Sequence, residues 1–522
     1  VLALLAVAVA VGVVQQYSDA RQAGFGAHPD EASHFMSGLM IRDYLASGSG
    51  SPIAYAENYY LFHPYFAIGV WPPLFYGIEA GWMLLFGHGR ASVIVLVGLI
   101  AAANALLVFG LVRRMGTVVL ALSASILLLL APSVRWSSGV VMTDLLVSLF
   151  VLTATIAFAR FVEKPSWREG TLTGLAAGLA ILSKYSAAFA LVPPVLLILI
   201  DRRWRLLMDV RLWAGVVVFA CTAGPWAYVS RRFTAVGFAG VQPGSPTSRL
   251  RDVIFYYVSD WGWLLSAGIV VATVWAFVRW RHLSPIVKLV ALQTPCLVPF
   301  LILAPPDIEG RYVMLGYPGV VVLMAAAVVG VGARYPDRRK AVVALGACGV
   351  LVFGLTKTSA YRPLPSDVGQ RVARDLVASA GTGQAAILVP THLEGPMIAE
   401  LAAAEPRRPM LLLARPTKLF ASNNWVGTDY VLTTPDLDAL KKVFDAYPID
   451  TILLAHVAER HDLPHDTLLR AMVQGPNSEW SRRQEYTGRG TRGPVTIEVF
   501  TRPHKGQSFA ALLEFVQDQT QK

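Results

Sequence analysis

Two adjacent carboxylates, Asp30 and Glu31, lie in His28-Pro-Asp-Glu-Ala-Ser-His-Phe35, just beyond the first apolar run of the chain. A chain leaving a bilayer would place them at the water interface, where a reaction on a membrane-bound substrate needs a base. Pro29 ahead of the pair predicts a helix start, with Asp30 as its cap and Glu31 in a first turn favoured by the helix dipole. Neighbours on a helix point about 100° apart, so the two carboxylates cannot face one hydroxyl together. Some forty residues on, Trp71-Pro72-Pro73-Leu-Phe-Tyr76 opens a second helix with prolines where a first turn tolerates them.

Three further sites carry charge where a membrane protein rarely keeps it. Asp144 stands at the outer end of an apolar run, where it is costly unless paired or facing water, with helix capping as the alternative role. Lys184 ends a short helix whose Gly174 and Gly178 permit close packing; snorkelling to the interface is its plainer reading. Arg311, beside Tyr312 and ahead of Pro318, faces outward against the trend of basic residues, and binding a lipid phosphate is the simplest reason.

These residues need a membrane scaffold, and composition supplies one. Of 522 residues 55% are hydrophobic and 15% charged, with a mean hydropathy of +0.51, against about 25% charged in an average soluble domain. The net charge of +11 is no sign of nucleic acid. Residues 1–356 hold 26 Lys and Arg against 16 Asp and Glu, whereas 357–522 hold 19 against 18, so the excess sits where it orients loops. Cys221, Cys296 and Cys348 all fall inside apolar runs, which indicates neither a disulfide framework nor a cysteine-based zinc site.

Apolar runs fall near 1–14, 91–112, 117–134, 139–160, 171–183, 187–200, 212–229, 261–278, 285–304, 312–332 and 341–356. The first, roughly 21 Å of helix against a core of roughly 30 Å, is read as the remainder of a longer span; a cleaved signal peptide is the alternative. Basic residues occupy every second short loop, among them Arg113-Arg114, Lys164, Arg202-Arg203, Arg281 and Arg338-Arg339, which marks those loops as cytoplasmic. The pattern holds only if the segment 71–87 is interfacial or half-inserted. About eleven spans result, with the amino terminus inside. Asp30, Asp144, Lys184, the loop 230–260 and Arg311 then all fall on the external side.

The predicted organisation is a polytopic module over 1–356 with a long first external loop 15–90, followed by an extracytoplasmic α/β domain over 357–522. In that domain helices near 367–378, 395–405, 436–447 and 465–474 alternate with strands near 385–389, 410–414, 429–434, 451–455, 480–487 and 495–501, predicting a mostly parallel sheet. Gly488-x-Gly490-x-x-Gly493 spells a dinucleotide fingerprint but lies between two strands, so it is read as a hairpin turn. His456, His461 and His465 fit no metal-binding face and are read as surface histidines.

Asp-Glu followed by x-Pro-Pro-Leu-x-Tyr, with the later Asp144 and Arg311-Tyr312, resembles the polyprenyl-phosphate-dependent GT-C glycosyltransferases, the superfamily of protein O-mannosyltransferases and bacterial lipid A aminoarabinose transferases. The match covers residues 1 to about 330. It implies a multi-pass enzyme of a bacterial cytoplasmic membrane that moves a sugar from a polyprenyl-phosphate donor to a lipid, glycan or protein acceptor on the external face, inverting the anomeric centre. Asp30 takes the base role on that resemblance, with Glu31 and Asp144 as further catalytic candidates. Arg311, Lys184, Tyr312 and His63 are the candidates for the donor phosphate.

Many members carry His or Lys immediately before Pro-Pro, where this chain has Trp71. The missing cation must come from elsewhere: His63, Lys184 or the arginines of 231–251. Some relatives use a divalent cation; Glu57 and His63 are nearby, yet no metal site is assigned. A flippase or other transporter of lipid-linked sugars is the competing class. It would favour internal repeats and broken mid-membrane helices, whereas here no repeat is visible and the charges gather at one face.

Overall fold

The computed structural model describes residues 2–48, 50–237, 244–304, 308–335, 363–380, 385–422, 430–476 and 478–503, with isolated positions between 341 and 352 and between 509 and 514. The chain divides into two compact units, one of residues 1–18, 69–75 and 94–361 and the other of 19–68, 76–93 and 362–522. In chain order the helices begin with α1 (Leu2–Tyr17), α2 (Pro29–Ser47), α3 (Pro52–Phe62), α4 (Leu74–Phe86), α5 (Arg90–Met115), α6 (Val118–Leu130) and α7 (Pro132–Ser137). They continue with α8 (Asp144–Glu163), α9 (Trp167–Ser183), α10 (Val192–Ile200), α11 (Val210–Gly237), α12 (Pro246–Val278), α13 (Pro285–Leu303), α14 (Gly310–Val313) and α15 (Tyr317–Gly332).

The first unit is helical and apolar. Among the described residues six helical stretches are long and apolar enough to cross a membrane: Arg90–Met115, Asp144–Glu163, Val210–Phe233, Pro246–Val278, Pro285–Leu303 and Gly310–Gly332. Other expected spans are shorter helices, and 341–356 lies largely outside the described residues. The run 117–134 is not one helix: Ala131 leaves helical geometry, because Pro132 restricts the residue before it, and Pro132 then opens α7. The expected loop 230–260 is helical from Pro246, with Ser245 capping the amide of Ser248. Gly262, at φ 64° and ψ 168°, breaks α12 in a conformation open essentially to glycine alone.

Close packing in this unit depends on glycine. A Cβ at Gly174 of α9 would lie 1.8 Å from the Gly215 carbonyl of α11, and one at Gly170 2.3 Å from that of Arg211, so the two backbones touch directly. Gln15 of α1 donates to the carbonyls of Ile94 and Ser138, both at 2.8 Å, and satisfies polar groups that lipid could not.

The second unit holds a five-stranded sheet of order β2-β1-β5-β7-β6, with β1 (Ala385–Leu388), β2 (Leu411–Ala414), β5 (Ile449–Val457), β6 (Ser481–Arg489) and β7 (Pro494–Thr501). Its helices are α16 (Val368–Ala380), α17 (Glu394–Ala404), α18 (Pro416–Leu419), α19 (Leu437–Ala446) and α20 (Pro464–Gln474). The sheet is mixed, not mostly parallel: β1 runs parallel to β2 and β5, but β7 is antiparallel to both β5 and β6. A short turn can join only antiparallel strands, and β6 and β7 are joined by one. Gly490 and Gly493 close that turn, so the glycine motif is a hairpin. The strand expected at 429–434 shrinks to β4 (Val431–Leu432), which pairs with β3 (Ala421–Ser422) in a separate ribbon; residue 429 lies outside the described residues.

The sheet's core is built from Leu388, Leu412, Phe444, Ile452, Leu454 and Phe500. α2 and α3 belong to this unit too. α17 packs on α2, Arg408 binds Asp43 at 2.7 Å, and His63 Nε2 meets Glu405 Oε1 at 2.8 Å, both side chains fully buried.

Candidate active site

At the start of α2 the cap is His28, not Asp30. Its Nδ1 accepts the amide of Asp30 at 3.0 Å, while Pro29 takes the first helical position. Because that lone pair is taken by an N–H, the imidazole offers no proton from Nδ1 to the Asp30 carboxylate 3.7 Å away. Asp30 therefore sits one residue inside the helix with its side chain 23% exposed.

Glu31 is turned the other way and fully buried. Its Oε1 accepts from Nε and Nη2 of Arg90 at 3.0 and 2.7 Å, and its Oε2 from the amides of Gly26 and Ala27. Arg90 also donates to the carbonyls of Ala20 and Ala23, so one guanidinium fastens residues 20–31. That is a scaffold, with both carboxylate oxygens of Glu31 hydrogen-bonded within the protein. One turn on, His34 Nδ1 bonds the Tyr76 hydroxyl at 2.8 Å, which ties α2 to α4.

Near Glu31 the unit stores an acid. Glu400 of α17 accepts the Phe25 amide at 3.0 Å, and burial pushes its carboxyl up to about 7 despite that bond and the charge of Arg90. Burial would raise Asp43 as well, but the bonds and charges of Arg408 and Arg42 hold it below the usual carboxylate range. His63, a candidate for the donor phosphate, is fully buried and pairs with Glu405.

The first unit gathers cations. Lys184, the C-cap of α9, does not snorkel: it is 2% exposed and its Nζ lies 2.7 Å from Asp144 Oδ1. Asp144 occupies the first position of α8 and makes no cap; among the described residues its buried Oδ2 has no hydrogen-bond partner. The ammonium also lies 4.5 Å from the Tyr312 ring centroid and 5.4 Å from that of Trp71. Arg311 stands over the same tyrosine ring at 5.0 Å and pairs with Glu309 at 2.8 Å. Trp71, Asp144, Lys184, Arg311 and Tyr312 are thus brought together, as the sequence suggested for four of them.

The sequence reading missed Arg90, fifty-nine residues from its partner, and Glu309, whose place two before Arg311 was a usable signal. A metal fits poorly at Glu57 and His63, since His63 is sealed against Glu405. Of the three histidines near 460, His465 is buried between Tyr430 and Thr391, and His456 is 60% exposed. Among the described residues His392, Asp462 and Asp466 do bring ligand-capable atoms within 4.8 Å of one another, although Asp462 pairs with Arg470 and Asp466 caps α20.

Residues 70–228 match the dolichyl-phosphate-mannose-protein mannosyltransferase family. The fold is similar to that of ArnT from Cupriavidus metallidurans bound to undecaprenyl phosphate, with a TM-score of 0.62 at 17% identity, covering 94% of this chain and 97% of that one. It also resembles the Archaeoglobus fulgidus oligosaccharyltransferase tethered to an acceptor peptide, with a TM-score of 0.53 at 12% identity over 86% of this chain and 68% of that one. The same archaeal enzyme in complex with zinc and sulfate matches at 0.51 and 12% identity, over 86% of this chain and 67% of that one. No curated protein matches by sequence.

Proposed function

We propose that the protein transfers a sugar from a polyprenyl-phosphate donor to an acceptor hydroxyl on the extracytoplasmic face, with inversion and with Asp30 as general base. The observation that carries the base assignment is the split in burial of the acidic pair: Glu31 is fully buried under Arg90 and two amides, while the Asp30 side chain is 23% exposed. A single base suffices, because direct displacement forms no glycosyl-enzyme intermediate.

The leaving phosphate is assigned to Lys184 and Arg311. The four charged groups there balance two against two, so an incoming phosphate competes with a carboxylate for each cation. Glu309, 31% exposed, is the one able to swing aside, whereas Asp144 is fully buried. Arginine offers the bidentate geometry that a phosphate accepts, and neutralising the leaving group lowers the barrier to its departure. The proton of the acceptor passes to Asp30.

Asp30→Asn tests the base role. The variant keeps shape and leaves the His28 cap intact, so turnover should fall roughly 10²-fold or more while donor binding survives. A folded Asp30→Asn protein that binds donor and transfers sugar at close to the normal rate would sink the assignment and return attention to Asp144.

A further inference from the structure

Lys184 is held more elaborately than an ion pair requires. A lysine side chain gives up rotamer entropy when fixed, so something must hold it. Asp144 contacts the ammonium at 2.7 Å, and two aromatic faces, Tyr312 at 4.5 Å and Trp71 at 5.4 Å, lie within cation–π range. Trp71 precedes Pro72, which restricts its backbone, and Tyr312, 9% exposed, carries the Arg311 guanidinium over its ring as well.

We propose that Trp71 is a positioning residue for Lys184. Its indole face, with the Tyr312 ring, fixes the ammonium beside Arg311 so that both charges meet the leaving phosphate without rearrangement. Trp71 acts on the donor only through the ammonium it holds. This rests on the assignment of Lys184 to the donor phosphate, and the experiment separates the two.

Trp71→Leu removes the ring face and Trp71→Phe restores most of it. Each is made alone and in a Lys184→Met background, in full-length protein reconstituted with a polyprenyl-phosphate sugar. Loss of the contact should lower kcat/KM by about 2- to 30-fold in Trp71→Leu, chiefly through donor KM, with Phe recovering most of it. In the Lys184→Met background Trp71→Leu should add nothing.

An amine-reactive label quantified at Lys184 by mass spectrometry reads the contact without reference to activity. Labelling should rise in Trp71→Leu and stay low in Trp71→Phe. Unchanged labelling in Trp71→Leu, or an equal kinetic loss with and without Lys184, overturns the positioning role. If labelling changes as expected but Lys184→Met leaves donor KM and kcat untouched, the phosphate assignment is what fails.

Discussion

The side chains of Asp30 and Glu31 differ by one methylene and one helical step, yet one is partly exposed and the other is sealed beneath Arg90. Removing one partner of a buried pair leaves an uncompensated charge, which typically costs about 3–5 kcal/mol. Glu31→Gln should therefore lower the thermal midpoint steeply in detergent. A Glu31→Leu, Arg90→Met double variant should recover part of that loss, because no charge is stranded. If Glu31→Gln melts like the parent, the pair is not the fastening described above. At this scale the sequence was informative about which residue types mattered and less so about their roles. Asp30, Asp144, Lys184 and Arg311 stand out by charge in apolar surroundings. The true cap, His28, and the partner of Glu31 depend on rotamers and on distant chain, which local pattern does not encode.

Elements were legible where period and punctuation agree. Among the described residues after 362 most helices and strands lie within a few positions of their expected bounds because Gly, Pro and Asp mark their ends, as Asp436 does by capping α19. What escaped was the sense of the sheet, since pairing direction depends on which strand the final hairpin joins. The break in α12 was hidden as well, as Gly262 looks unremarkable in an apolar run. At φ 64° and ψ 168° any side chain there is strained by about 1–3 kcal/mol. Gly262→Ala should destabilise the protein by that amount, read as a lower thermal midpoint, whereas Gly268→Ala, where a Cβ meets open space, should not. Equal behaviour of the two would mean that the break is not fixed by residue 262.

A second element-scale test concerns pH. Glu400 binds its proton more tightly folded, at about 7, than the ordinary 4.5 of an unfolded glutamate. Its contribution is thus fully present below about 4.5 and is lost as pH rises through 7. Amide exchange in residues 23–27 should speed up between pH 5 and 8 beyond its intrinsic rate, and Glu400→Gln should flatten that dependence. An unchanged slope in the variant would assign the effect to another group.

For the whole molecule, the expectation is that residues 15–90 and 357–522 lie outside the cytoplasm. It rests on the alternation of basic loops. Cysteines placed at Ser379 and Lys164, both exposed, test it in intact cells with a membrane-impermeant reagent. Labelling at 379 but not at 164 is expected, and the reverse would invert the topology. Sequence alone fixed the membrane class through composition, but it could not reveal that residues 19–68 and 76–93 group with the sheet, since that grouping is written in pairs such as Asp43–Arg408 and His63–Glu405.

That grouping has a consequence for how the protein is made. Phe25 and Glu400 are 375 residues apart, and the other fastenings of α2 and α3 to α17 span similar distances. At about 5–20 residues per second, the segment bearing the candidate base leaves the ribosome tens of seconds before the helix that secures it. During that interval every later span is inserted while Asp43 and His63 wait without their partners. A chain truncated before residue 394 lacks all three partners, so amide exchange over residues 23–63 should be faster in it than in the 522-residue chain.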